Sequence, residues 1–222
     1  MSSHQAIRDA LAAAARSLAA AGLVQRTSGN VSARAGATIA VTPTGAELAS
    51  IRGEDIVLVD EAGAVIEGPG EPTSEIGLHL GIYDAYGAGA VVHTHAPAAT
   101  AVSCVVDELP AIHYEMLLLG GPVRVAPYAT FGTAELAASA VAALEGRAAA
   151  LLANHGTVAF GTDLSSALRA TELLEWAAVL YLRASSLGTP KALDRQALQD
   201  VAEAVAVRGY GAMRGPGGSP AG

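Results

Sequence analysis

Spacing is what most restricts the fold of this chain. Short apolar runs at 38–42, 56–60, 64–66, 90–94, 123–126, 149–153 and 157–160 are interleaved with longer stretches of helical periodicity. A parallel crossover needs a dozen or more residues, so the runs separated by only a few residues must pair antiparallel. Those at 56–60 and 64–66 flank Glu61-Ala62-Gly63, a hairpin turn. Between the runs, Ile7, Leu11, Ala14 and Leu18 share a face of a first helix ending near Gly22, and Ile76, Leu80 and Tyr83 mark a second that starts at Thr73-Ser74-Glu75. A helical turn follows Pro97, and Thr133 caps a helix bearing Leu136, Val141 and Leu144. Asp163 opens a long helix, with Leu173, Ala177, Leu180, Tyr181 and Ala184 on one face and Arg169, Glu172 and Glu175 opposite; a last helix spans 194–207. The expected fold is α/β: a single domain over 1–210 with a mixed, largely antiparallel central sheet and helices on both faces, followed by a flexible Gly/Pro-rich tail at 211–222.

Composition narrows the function classes. Of 222 residues, 51% are hydrophobic and 15% charged, enough apolar surface for a large core and too much for a disordered chain. The net charge of −8 argues against a general nucleic-acid binder, which needs cations to displace phosphate counterions, but leaves room for a small phosphorylated substrate. No run of about 20 apolar residues is present, and Asp9 and Arg16 interrupt the apolar N-terminal stretch, so neither a membrane span nor a signal peptide is expected. The single cysteine, Cys104, excludes an intrachain disulfide and suits a reducing, cytoplasmic setting; within Val102-Ser103-Cys104-Val105-Val106 it reads as packed in the core.

The richest chemistry lies at Val91-Val92-His93-Thr94-His95. Side chains alternate along a strand, so His93 and His95 point the same way, as two metal ligands or as a hydrogen-bonded pair in the core. His155, between two apolar runs and followed by a turn-forming Gly156, is either a third ligand or a structural histidine. Three histidines with an open fourth position suit a catalytic metal better than a structural one, and no cysteine pair is available for a closed site. Glu75, at a helix start, is either a favourable charge against the helix dipole or a general base beside a metal. Thr27-Ser28-Gly29-Asn30, Thr42-Pro43-Thr44-Gly45 and Pro72-Thr73-Ser74 are ordinary turns or caps that can equally hold an anion through hydroxyls and backbone N–H groups. Neither a P-loop, a complete G-x-G-x-x-G nor a G-x-S-x-G segment occurs, which removes the usual support for nucleotide binding and serine hydrolysis.

In order, TSGNVSAR (27–34), VTPTG (41–45), PTSE (72–75), AVVHTHAPAATAVS (90–103), LPAIHY (109–114), APYATFGT (126–133) and LLANHG (151–156) resemble the class II aldolase family, and the stretch from Leu109 to Thr133 resembles its fuculose-phosphate branch. That resemblance implies Zn²⁺ on His93, His95 and His155, with Glu75 as the catalytic carboxylate that also approaches the metal. It implies a substrate phosphate held at Ser28, Gly29, Asn30, Thr44, Gly45, Thr73 and Ser74. Tyr114 matches a tyrosine that reaches an active site across a subunit boundary and moves a proton at the aldehyde oxygen. Phe131 would line the aldehyde end, and Tyr210 would help close the site. A homotetramer with active sites between subunits is implied as well.

The implied reaction is reversible cleavage of a ketose 1-phosphate, through an enediolate, to dihydroxyacetone phosphate and an aldehyde such as lactaldehyde. The only lysine, Lys191, is far in sequence from these motifs, and the scheme needs no Schiff base. The sequence departs from the pattern at Ser28 (often alanine), Thr73 (serine), Glu115 (apolar) and Ile76-Gly77-Leu78, which lacks an aromatic and a basic residue; these changes bear on the sugar rather than the metal. Related 4-epimerases, dehydratases and decarboxylases use similar sites, although the epimerases carry aspartate where Glu75 stands. Adducin-like interaction modules share the fold but lack the histidines.

Overall fold

A computed structural model describes residues 3–208. Nine strands form one sheet: β1 (Asn30–Ala35), β2 (Thr38–Val41), β3 (Val57–Val59), β4 (Val65–Glu67), β5 (Ala90–Thr94), β6 (Glu108–Leu109), β7 (Val123–Ala126), β8 (Ala149–Leu152) and β9 (Gly156–Gly161). Their order is β4-β3-β2-β1-β5-β9-β8-β7-β6. Only β7 and β8 pair parallel; every other neighbouring pair is antiparallel. The mixed, largely antiparallel sheet expected from spacing is therefore observed.

Strict alternation along the strands builds two cores. Ala90 and Val92 of β5, Ala149 and Leu151 of β8 and Ala40 of β2 belong to one core, with the helices α1 (Ser3–Ala20), α3 (Pro97–Ser103) and α5 (Leu164–Leu187). Val91, Ala150, Leu152, Ile39 and Val41 point the other way, into a second core with α2 (Ile76–Tyr86) and α4 (Ala134–Ala143). The sixth helix, α6 (Arg195–Arg208), ends the described chain. Among the described residues no helix is long and apolar enough to cross a membrane.

Several sequence expectations are corrected. Segment 30–35, absent from the expected strand-like runs and with Asn30 read in an anion-holding turn, is a central strand whose Asn30 and Ser32 are buried. The α5 stripe turned fully inward is Ala167, Ala170, Thr171, Leu174, Ala177 and Ala178 rather than the face through Leu173 and Leu180. Glu175 does not sit on an outer face: its carboxylate accepts the backbone N–H groups of Ala98 (3.0 Å) and Ala99 (2.8 Å), supplying α3 with the acceptors its apolar N-cap lacks. Cys104 is exposed, not packed in the core, because α3 ends at Ser103 and the chain turns outward there.

Candidate active site

One end of the sheet gathers the chemistry. β1 begins at Asn30 and β5 ends at Thr94, and the two are antiparallel; β9, antiparallel to β5 on its other side, begins at Gly156. The pairing therefore brings Asn30, His95 and His155 to the same edge, with His93 one register position inside. Gly156 is required there, since a Cβ on it would lie 2.3 Å from the Thr94 carbonyl oxygen and 3.0 Å from the His95 ring. Two residues earlier Asn154 turns the chain in the left-handed region at φ 54°, which asparagine tolerates.

His93, His95 and His155 each offer a ring nitrogen, and the three lie within 4.8 Å of one another. The rings stand nearly edge-on, with centroids 4.9–5.0 Å apart. Glu75 completes the group: its Oε2 is 3.0 Å from His93 Nε2 and its Oε1 3.5 Å from His155 Nε2. Although 6% exposed, Glu75 takes only one further side-chain hydrogen bond, from Asn30 Nδ2 at 3.0 Å. Its Oε1 is buried with no hydrogen-bond donor.

This arrangement calls for a cation. His93 Nδ1 donates to the Thr157 carbonyl at 2.8 Å, so the neutral ring carries its lone pair on Nε2. That nitrogen faces a carboxylate oxygen and, at 3.1 Å, His95 Nε2. Only a proton or a metal ion reconciles these acceptors, and a metal satisfies all three rings and the orphaned Oε1 at once. The titration tendencies agree with that donor set. Burial would raise the Glu75 carboxyl, but hydrogen bonding and charge from His93, aided by Asn30 and His155, hold it at about 2. Burial, then the charges of His93 and His155, pushes the His95 imidazole down to about 4, and burial with the His93 charge lowers His155. His95 and His155 are thus biased to the neutral form and Glu75 to the ionised one, the forms in which such groups bind a divalent metal.

A pocket of about 280 Å³ opens onto this group. It is lined by Ser28, Gly29, Asn30, Thr44, Gly45, Thr73, Ser74 and Phe131, together with Glu75, His95 and His155, so nearly every residue singled out from the sequence converges there. Gly29, at φ 90°, brings its loop so close to β5 that a Cβ would meet the His93 carbonyl oxygen at 2.9 Å. The second and third loops are stitched together: Thr44 N donates to Glu71 O and Thr73 N to Thr42 O, both at 3.1 Å. Thr73 also accepts from the N–H of Glu75 (3.3 Å), which is itself the N-cap of α2 and turns its side chain to the histidines instead of capping the helix. No lysine or arginine lines the pocket among the described residues, so its polarity comes from hydroxyls, amides and backbone.

Tyr128 and Asn154 also line the pocket, and sequence reasoning did not single them out. Tyr128 lies inside the APYATFGT segment, two residues past the end of β7, where its position was legible but its role was not. Tyr114 is absent from the pocket wall of its own chain; it lies on a short 3-10 turn at 114–119, 39% exposed, with its ring against His113 at 4.5 Å. Tyr210 lies outside the described residues.

A nine-stranded mixed sheet presenting three histidines and a glutamate over a hydroxyl-lined pocket defines a metal-dependent lyase class. Residues 9–182 match the family described as Class II Aldolase and Adducin N-terminal domain, and the chain belongs to that family. Relatives carry aldolase names, which are lyase names. The chain is 41% identical over 203 residues to the 5-methylthioribulose-1-phosphate/5-deoxyribulose-1-phosphate aldolase of Rhodospirillum rubrum, covering 90% of this chain and 91% of that protein. It is also 41% identical to the L-fuculose phosphate aldolase of Escherichia coli K12, over 171 residues that cover 76% and 79% of the two chains. A solved L-fuculose 1-phosphate aldolase superposes with a TM-score of 0.87 at 37% identity, covering 93% of this chain and 98% of that one.

Proposed function

We propose that the protein is a zinc-dependent aldolase that reversibly cleaves a terminally deoxygenated ketose 1-phosphate to dihydroxyacetone phosphate and a short aldehyde. One observation carries this reading: Glu75, His95 and His155, with His93 buried against them, share one pocket with a set of hydroxyls and glycines. His93, His95 and His155 would hold the metal, with Glu75 able to approach it. Bound there, the metal supplies a Lewis acid for the substrate carbonyl oxygen.

The chain's own residues supply the rest. Ser28, Gly29, Asn30, Thr44, Gly45, Thr73 and Ser74 hold the phosphate without a fixed cation, as hydroxyls and backbone N–H groups can. In cleavage, the C4 hydroxyl gives up its proton to solvent by way of Tyr114, the C3–C4 bonding pair passes to C3, and Glu75, taking up a proton from solvent, delivers it to that carbon. In synthesis the ionised Glu75 takes the same proton away. Tyr114, absent from the pocket wall of its own chain, serves the aldehyde oxygen of a neighbouring subunit's site in a homotetramer with shared active sites.

The sugar follows from the aldehyde end. Phe131 and Tyr128, 65% and 63% exposed, offer aromatic surface to a methyl-ended fragment. Cutting a 5-deoxyketopentose phosphate at C3–C4 leaves acetaldehyde, whereas L-fuculose 1-phosphate leaves lactaldehyde. The longer alignment with the deoxyribulose-phosphate relative favours the five-carbon substrate. The test is NMR of zinc-loaded protein with dihydroxyacetone phosphate in D₂O, beside a metal-stripped control, followed by cleavage assays on both sugars. Zinc-dependent exchange at the hydroxymethyl carbon is expected. Its absence with zinc bound would transfer the assignment to epimerase, dehydratase or decarboxylase chemistry.

A further inference from the structure

Behind Glu75 lies a buried line of polar groups, of which the reaction above uses only Asn30. Glu75, His79 and Tyr83 recur every four residues at the start of α2 and along it, while Asn30 and Ser32 recur every two along β1. Four helical residues rise about 6 Å and two strand residues about 6.6 Å, so the two rows stay in step. The contacts follow that register: Asn30 Nδ2 to Glu75 Oε2 at 3.0 Å, His79 Nε2 to Asn30 Oδ1, Ser32 Oγ to His79 Nδ1 at 2.7 Å, and Tyr83 OH to Ser32 Oγ at 2.8 Å. His79 and Ser32 are fully buried, and Tyr83 is 2% exposed.

The direction of every hydrogen in this line is forced. An ionised carboxylate only accepts, so Asn30 must present its amide nitrogen to Glu75 and its oxygen to His79. His79 therefore donates from Nε2. Being neutral, it must accept at Nδ1, which makes Ser32 the donor there and Tyr83 the donor to Ser32. Burial, then the charge of His93, presses His79 towards the neutral form. All donors point towards one oxygen of Glu75, and the other oxygen, Oε1, is left without a donor.

We propose that His79 is a positioning residue: it locks the amide orientation of Asn30 and, through it, the Glu75 carboxylate, so that Oε2 is tied and Oε1 faces the pocket chemistry. The inference rests on the aldolase reading for its kinetic consequence but not for its geometry. With ¹⁵N-histidine-labelled wild-type protein, His79 is expected as the neutral Nε2–H tautomer from pH 8 to pH 5. An Nδ1–H tautomer or an imidazolium in that range would overturn the proposal without reference to any substrate.

The kinetic arm compares two variants at matched metal content. His79→Leu keeps bulk but removes both nitrogens, and kcat is expected to fall about 10–100-fold, the range typical of lost support behind a metal site, with KM little changed. His79→Gln restores an N–H that reaches Asn30 and an oxygen that reaches Ser32, and is expected to recover most of the loss. Wild-type kcat in His79→Leu, or equal losses in both variants, would overturn the positioning role. Failure of the wild-type protein to cleave any ketose phosphate would instead strike the proposed function, and the tautomer measurement would still decide this one.

Discussion

His93 Nδ1 lies 2.8 Å from the carbonyl oxygen of Thr157, a residue of the neighbouring strand, and this contact determines which ring nitrogen is turned towards Glu75 and His95. The backbone of β9 thus orients a ligand carried by β5, and β9 is entered through His155 itself. Sheet register and ligand geometry are one property here.

Removing one ligand should dismantle the centre. His95→Ala is expected to lose bound metal on dialysis and to lower activity by about 100-fold, since it removes one of the three rings that hold the open site. Elemental analysis alongside aldol-cleavage assays checks this; full activity in the metal-free variant would refute the Lewis-acid role.

Glu75→Gln separates binding from proton transfer. The amide keeps the shape and the three histidines keep the metal, but the base is gone. Deuterium exchange into dihydroxyacetone phosphate is expected to slow about 10²–10⁴-fold, the usual range for a general base. Exchange at the wild-type rate would remove Glu75 from that role.

Ser74→Ala tests the phosphate pocket. Losing one hydroxyl hydrogen bond to a charged group costs about 1.5–3 kcal/mol, so KM for the phosphorylated sugar should rise at least about tenfold while metal content stays constant. An unchanged KM would take Ser74 out of the phosphate site.

Stability of the metal-free protein should fall with acid in a defined window. His79 is held neutral to about pH 3, whereas an unfolded histidine protonates near 6.5. Between those values the unfolded state binds the extra proton, so stability is complete above 6.5 and declines as pH drops, at up to about 1.4 kcal/mol per pH unit from this group. Glu75, ionised down to about 2, adds to the loss only below its unfolded value of 4.5. Urea unfolding from pH 7 to pH 5 should show a slope to which His95 and His155 also contribute, and a slope up to about one proton shallower in His79→Leu; parallel slopes would contradict it.

Gly156→Ala should damage fold and site together. Its Cβ would meet the Thr94 carbonyl oxygen and press on the His95 ring. A loss of about 1–3 kcal/mol, as for overpacked cores, is expected in denaturant titrations, together with weaker metal binding. Wild-type stability would show that β5 and β9 can separate without cost.

Much of this was legible in the chain. β5 and β7 fall on the residues expected for them, and Thr133 and Asp163 cap α4 and α5 through their side chains as read. What escaped was pairing between distant segments. β1 mixes Asn30, Ser32 and Arg34 with small apolar residues and looks like a loop until α2 supplies partners for its polar side. His79, between Leu78 and Leu80, carries no local signal; only the four-residue spacing of 75, 79 and 83 against the two-residue spacing of 30 and 32 marks it. Cys104 was misplaced because its valine neighbours suggest burial, while the end of α3 turns that segment outward.

The position of β5 between β1 and β9 also has a consequence for how the protein is made. Residues 30–94 can assemble half a sheet as soon as they leave the ribosome, but one edge of β5 then has no neighbour until β9, more than 60 residues later, has been synthesised. Throughout that interval the nascent chain carries two of the site's three histidines and an open, apolar strand edge, the kind of edge that recruits other chains. The three-histidine group can therefore form only after His155 and β9 have been made.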